Sequence, residues 1–254
     1  MQQRKLCEHV FLGLPAARPR VWVDLSTAAS KRAGLGMNVP GRRVLRWTVS
    51  FLKLFAFLPI EKLLPGKRVC GQEIESVGIL YRIYGDDLTY ATIYTGNDSA
   101  KSKITALVKL RCKGEGLGDR RIVKLAKSMA ATEAIDQEQW ALEKLMHTTI
   151  WDRIPVLGKR GVTDGWTWCE QSVLPSGYKE MHFTSVYRRF LDELQYVTRE
   201  GEKVMVHGDF APWNCAVVGG RLYVYDWEDA HMGAADEDEK WFRGQVKKLL
   251  GITA

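Results

Sequence analysis

Between residues 77 and 125, apolar and β-branched residues fall in short runs broken by Gly, Asp and Asn. From residue 130 onward the apolar positions recur every three to four residues. The first texture predicts strands and the second helices. The β-rich runs 77–84, 88–94, 104–111 and 121–125 predict an antiparallel sheet. Residues 130–146, 186–199 and 238–250 predict helices, as do residues 43–58, stopped before Pro59. Residues 166–171 predict a further strand. Residues 215–218 and 221–225 predict two short strands, joined across Gly219-Gly220 by a two-residue hairpin. Strands first and mostly helices afterwards is an α+β order. It divides the chain into residues 1–73, of uncertain structure, a sheet-bearing lobe at 74–170 and a compact, mostly helical lobe at 171–254.

Composition narrows the picture. The chain has 254 residues, 46% apolar and 26% charged, which fits a globular protein with a sizeable core. Its five cysteines (Cys7, Cys70, Cys112, Cys169, Cys215) are dispersed with no CxxC, which argues against a disulfide framework or a four-Cys zinc site and for a reducing compartment. Charge is uneven. Residues 1–68 hold thirteen Lys and Arg against three acids, a net of +10, while the remainder carries −3. A basic end suggests an anionic partner, membrane or nucleic acid, although no nucleic-acid reader motif is present. The apolar stretch at residues 10–14 is too short for a secretory signal. The apolar run 44–60 contains Arg46 and Lys53 and falls short of the about 20 residues a span needs. It is expected to pack on the protein's own body; the alternative is an interfacial segment at an anionic membrane face. The expected location is cytoplasmic, with peripheral attachment under that alternative.

Chemistry concentrates in His207-Gly208-Asp209-Phe210-Ala211-Pro212-Trp213-Asn214, followed by the hairpin and Asp226-Trp227-Glu228. The hairpin returns the chain, so Asp209, Asn214 and Asp226 converge at one end of it. Two carboxylates and a carboxamide are hard oxygen donors, suited to Mg²⁺ and not to zinc. Asn214 and Asp226 fit as metal ligands, which leaves Asp209 to accept a proton from an attacking hydroxyl. His207 is expected to brace the loop. The acidic run 236–239 reads as a solvated helix start, where acids favour the dipole.

HGDxxxxN followed by a hairpin ending in DWE resembles the aminoglycoside phosphotransferase/choline kinase branch of the protein-kinase-like fold. The resemblance implies a two-lobed α+β architecture, with a small antiparallel β lobe and a mostly helical lobe. It implies a phosphotransferase that uses ATP and Mg²⁺ and moves the γ-phosphate to a hydroxyl of a small molecule or glycan. A sugar-type acceptor is favoured because little chain remains to build an enclosed acceptor site. The alternative is a pseudokinase, a nucleotide-binding or scaffolding module without turnover.

The resemblance also demands a strand lysine paired with a helix glutamate. Lys124 and Glu138 are the expected pair, with Lys109 as second choice for the lysine. On a helical wheel Ala134, Ile135, Ala141, Leu142 and Leu145 surround Glu138, so its carboxylate should face inward. The phosphate-covering loop is expected around Gly96 and Ser99. Glu170 and Val173 fall in the segment resembling the adenine-binding hinge. The glycines at 114, 116 and 118 are expected to be a hairpin turn and not a dinucleotide site, since no helix follows.

Overall fold

The structure is a computed structural model that describes residues 8–15, 17–37, 66–96, 101–114 and 118–250. The chain divides into two units. The first comprises Met1–Thr132 and Lys159–Glu170, the second Glu133–Gly158 and Gln171–Ala254.

The first unit is built on an antiparallel sheet. Its strands are β1 (Val10–Leu14), β2 (Val21–Asp24), β3 (Lys67–Cys70), β4 (Leu88–Tyr94), β5 (Ile104–Gly114), β6 (Gly118–Ala126), β7 (Leu157–Thr163) and β8 (Trp166–Ser172), in the order β3-β1-β2-β4-β5-β6-β8-β7. Residues 1–73 thus contribute three strands to the sheet. They are four or five residues long and carry Arg, Lys and Pro among or beside them, so their alternation is too brief to read. Strands β5 and β6 pair from Ile104–Leu125 to Gly114–Gly118; residues 115–117, within the turn expected there, lie outside the described residues.

Two helices belong to this unit, α1 (Ala28–Met37) and α2 (Glu75–Tyr84). Helix α2 corrects the strand expected at 77–84. Ile74, Val77, Leu80 and Tyr84 recur at helical spacing, and the first three are at most 8% exposed. That period outweighs the β-branched and aromatic composition that suggested a strand. The core of the unit joins Phe11, Val77, Leu80, Ile93, Val108, Val123 and Leu125.

The second unit holds most of α3 (Met129–Leu145), then α4 (Ser185–Thr198) and α5 (Glu237–Leu250). Two small ribbons complete it. Strands β10 (Cys215–Val218) and β11 (Arg221–Val224) form the expected hairpin, and β9 (Val204–Val206) pairs with β12 (His231–Gly233). Both turn glycines have positive φ, +56° at Gly219 and +77° at Gly220, as a primed hairpin turn requires. The core gathers Leu142, Leu145, Tyr187, Phe190, Phe210, Trp227 and Phe242. The inward face of α3 explains why residues 133–158 belong to this unit and not to a 74–170 lobe: Ala141, Leu142 and Leu145 are buried in its core. Residues 43–58, where a helix was expected, lie outside the described residues, as does the membrane-facing alternative for 44–60. Among the described residues no helix is long and apolar enough to cross a membrane.

Candidate active site

In the second unit, the strand β9 delivers the chain into the loop at residues 207–214. Gly208 has φ +84°, and a Cβ there would lie 2.2 Å from the Asp229 carbonyl oxygen, so only glycine fits. A 3-10 turn, Pro212–Asn214, ends the loop. Cys215 is in register with Val224, and the Tyr225 N–H donates to the Asn214 carbonyl at 3.1 Å. Asn214 and Asp226 therefore sit at the same end of the hairpin.

The Asp209 carboxylate is held by side chains. Asn214 Nδ2 donates to its Oδ2 at 2.8 Å and to its backbone oxygen at 3.0 Å. The Trp241 indole, on α5, donates to its Oδ1 at 2.9 Å, and the Trp213 indole approaches Oδ2 at 3.5 Å. With both Asn214 amide hydrogens directed at Asp209, the carboxamide oxygen is the donor atom it has left for a cation. Asp226 adopts φ +71°, a left-handed backbone that non-glycine residues adopt at a cost and that concentrates at active sites.

His207 is fully buried. Its Nε2–H donates to the Tyr225 carbonyl at 3.2 Å, and Nδ1 accepts the Asp209 N–H at 3.3 Å. Burial holds its pKa below the ordinary imidazole value, so it braces the loop in its neutral form.

Three contributors to the site were not legible in the sequence. Asp238, read there as part of a solvated run, is 3% exposed. Its carboxylate accepts the His207 N–H at 2.8 Å and the Gly208 N–H at 3.1 Å, while burial raises its pKa. The first turn of α5 packs against the loop, and two orphan amides there need an acceptor. Trp241 lies three residues further along the same helix face. Lys179 donates to the carbonyls of Trp213 (2.9 Å) and Cys215 (2.6 Å), and its ammonium lies 4.5 Å from the Tyr225 ring centroid. Burial pushes its pKa down to about 8. The helix spacing of 238, 241 and 245 is the one sequence signal that could have grouped Asp238 with Trp241.

Glu138, on α3, is fully buried and accepts the Trp227 N–H at 3.2 Å, with Ala134, Ile135, Ala141, Leu142 and Leu145 all buried around its face. In the first unit, Lys124 on β6 is 4% exposed, whereas Lys109 is paired with Asp119 and its side chain is 34% exposed. Gly96 follows β4, and Ser99 lies outside the described residues. Glu170 is committed to a buried network: Oε2 accepts Arg121 Nη1 at 2.8 Å and the Lys159 N–H at 3.2 Å, and Oε1 accepts the Tyr84 hydroxyl at 2.9 Å. Its side chain is a structural anchor. Val173, half-buried, follows β8.

Among the described residues no group of three or more His, Cys, Asp and Glu could hold a metal. Asn214 and Asp226 nonetheless fit Mg²⁺, which usually takes one or two carboxylates and fills its octahedron with water and phosphate. No curated protein matches the chain. Residues 117–238, a stretch that includes Lys124, Glu138, Asp209, Asn214, Asp226 and Asp238, match the phosphotransferase enzyme family APH. Over this segment, a little under half of the chain, the chain is similar to that phosphotransferase family, and the α+β architecture described above is consistent with it.

Proposed function

We propose that the protein transfers the γ-phosphate of ATP to a hydroxyl of a small molecule or glycan, with a sugar-type acceptor favoured. The observation that carries this reading is the Asp209–Asn214 arrangement: a half-exposed carboxylate oriented by the amide nitrogen of a carboxamide, whose oxygen makes neither of those two bonds. In this reading the acceptor oxygen forms a bond to the γ-phosphorus, the bond from that phosphorus to the ADP oxygen breaks, and the hydroxyl proton passes to Asp209. Asn214 and Asp226 would hold Mg²⁺, which when bound would offset the charge of the phosphate oxygens. Lys124 and Glu138 take the phosphate-binding roles that the family resemblance assigns them. Gly96 and Ser99 cover the phosphates, and the backbone at Glu170 and Val173 meets adenine.

The test is a γ-phosphate transfer screen against sugars, aminoglycosides, amino alcohols and proteins, paired with MgATP binding by calorimetry. Asp209→Asn should retain MgATP binding and lose transfer by about 10²–10⁴-fold. Near wild-type transfer in that variant refutes the assignment. MgATP binding without transfer to any acceptor favours the pseudokinase alternative. The +10 charge of residues 1–68 supports a second proposal, peripheral attachment to the cytoplasmic face of an anionic membrane. It is tested by co-sedimentation with anionic vesicles at low and high salt.

A further inference from the structure

Beside Asp209 a cleft of about 640 Å³ opens between the β9–β12 ribbon and α5. Gly208 and Trp241 line it, and both adjoin Asp209, the first through the chain and the second through its indole hydrogen bond. Trp241 is 43% exposed, so it combines an N–H directed at the carboxylate with an apolar ring left partly open.

The charges around the cleft are the informative feature. α5 starts with an acidic run that would attract a cation if its carboxylates were available, and all four are committed. Asp236 pairs with Lys240 at 2.6 Å. Glu237 accepts the Ala234 N–H at 2.6 Å and contacts His231 Nε2 at 3.0 Å. Asp238 is spent on the two loop amides. Glu239 is held by Arg188 and, at 2.9 Å, by Arg243. Asp209 itself already accepts from Trp241 and Asn214. The cleft is also lined by Lys240 and Lys248, and Lys248 has no acidic partner among the described residues. His231 donates Nδ1–H to the Asp229 carbonyl, and that bond together with Glu237 raises its pKa, adding positive character.

An ammonium group entering here meets carboxylates already held by other donors and the ammonium of Lys248, whereas a hydroxyl-rich ring meets an aromatic face and hydrogen-bond donors. We propose that this cleft is the acceptor site and that it selects a sugar lacking cationic groups, neutral or acidic, over amino sugars and amino alcohols. The inference rests on the phosphotransferase reading and concerns its substrate class. Trp241 would contact the sugar face and present its hydroxyl to Asp209.

The test uses the full chain with MgATP present and four probes: methyl β-D-glucopyranoside, the corresponding methyl glucuronide, kanamycin and choline. Saturation-transfer NMR at about 0.15 M salt, where screening suppresses loose ionic contacts, reports saturable binding. Both glycosides should bind, and kanamycin and choline should not. Trp241→Ala should weaken the glycosides up to about tenfold, and Trp241→Phe, which keeps an aromatic face, should weaken them less. The proposal is overturned by saturable kanamycin or choline binding tighter than both glycosides, by failure of both glycosides to bind, or by glycoside binding unchanged in Trp241→Ala. Calorimetry of MgATP on the same samples separates the two levels. Loss of MgATP binding refutes the phosphotransferase reading, and MgATP binding with no glycoside binding refutes the acceptor inference alone.

Discussion

Replacing Asp238 by alanine removes the one carboxylate that satisfies the His207 and Gly208 amides. Each buried N–H left without an acceptor costs about 1–3 kcal/mol. The relief of no longer burying a carboxylate offsets part of that. A net destabilisation of about 2–4 kcal/mol is expected. With a urea dependence of about 1–3 kcal/mol per molar, the unfolding midpoint should fall by about 1 M or more. Trp227, fully buried in the same unit, and Trp213 and Trp241 make tryptophan fluorescence a direct reporter. Asp238→Asn keeps one acceptor oxygen and should fall between. Asp236→Ala, in the same acidic run but solvent-exposed and paired with Lys240, serves as the control and should leave the midpoint where it is. If Asp238→Ala shifts the midpoint no further than Asp236→Ala, the carboxylate is not an anchor and the reasoning fails.

Glu170→Ala should destabilise the first unit by about 3–5 kcal/mol, because it strands the buried Arg121 charge; a thermal melt indistinguishable from wild type would contradict this. Gly208→Ala should lose at least about 1–2 kcal/mol to left-handed backbone strain alone, before the clash with the Asp229 carbonyl, and a neutral effect in urea unfolding would disprove the close approach. His207 has a folded pKa below its unfolded value, so as pH falls below about 6.5 the unfolded chain takes up the proton first and stability drops, by at most about 1.4 kcal/mol per pH unit. Urea titrations at several pH values should show that extra acid sensitivity in the wild type and lose it in His207→Gln; parallel pH profiles would exclude a neutral buried imidazole.

What the sequence shows depends on the range over which the determining forces act. The β10–β11 hairpin was legible because Gly219-Gly220 states its turn within two residues. The inward face of Glu138 was legible because five apolar neighbours repeat along one helix. Strand β7 was missed because Lys159, Arg160 and two glycines sit in an edge strand, where charge guards against stray pairing and obscures alternation. The acidic run at the start of α5 shows the same limit at the site. Asp238 differs from Asp236 and Glu239 only in what packs against it, and its partners lie 30 and 31 residues earlier.

That separation has a consequence for the order of events during synthesis. The loop carrying Asp209 leaves the ribosome about 30 residues ahead of Asp238 and Trp241. At about 5–20 residues per second, roughly 2–6 s pass in which the loop exists without the helix that ties it down. Over that interval Gly208 lacks the Asp238 acceptor for its amide and Asp209 lacks one of its two indoles, so even after Asp226 has emerged, about midway, the loop is still without its anchor. The anchor carboxylate and the second indole arrive together with α5, in a single step.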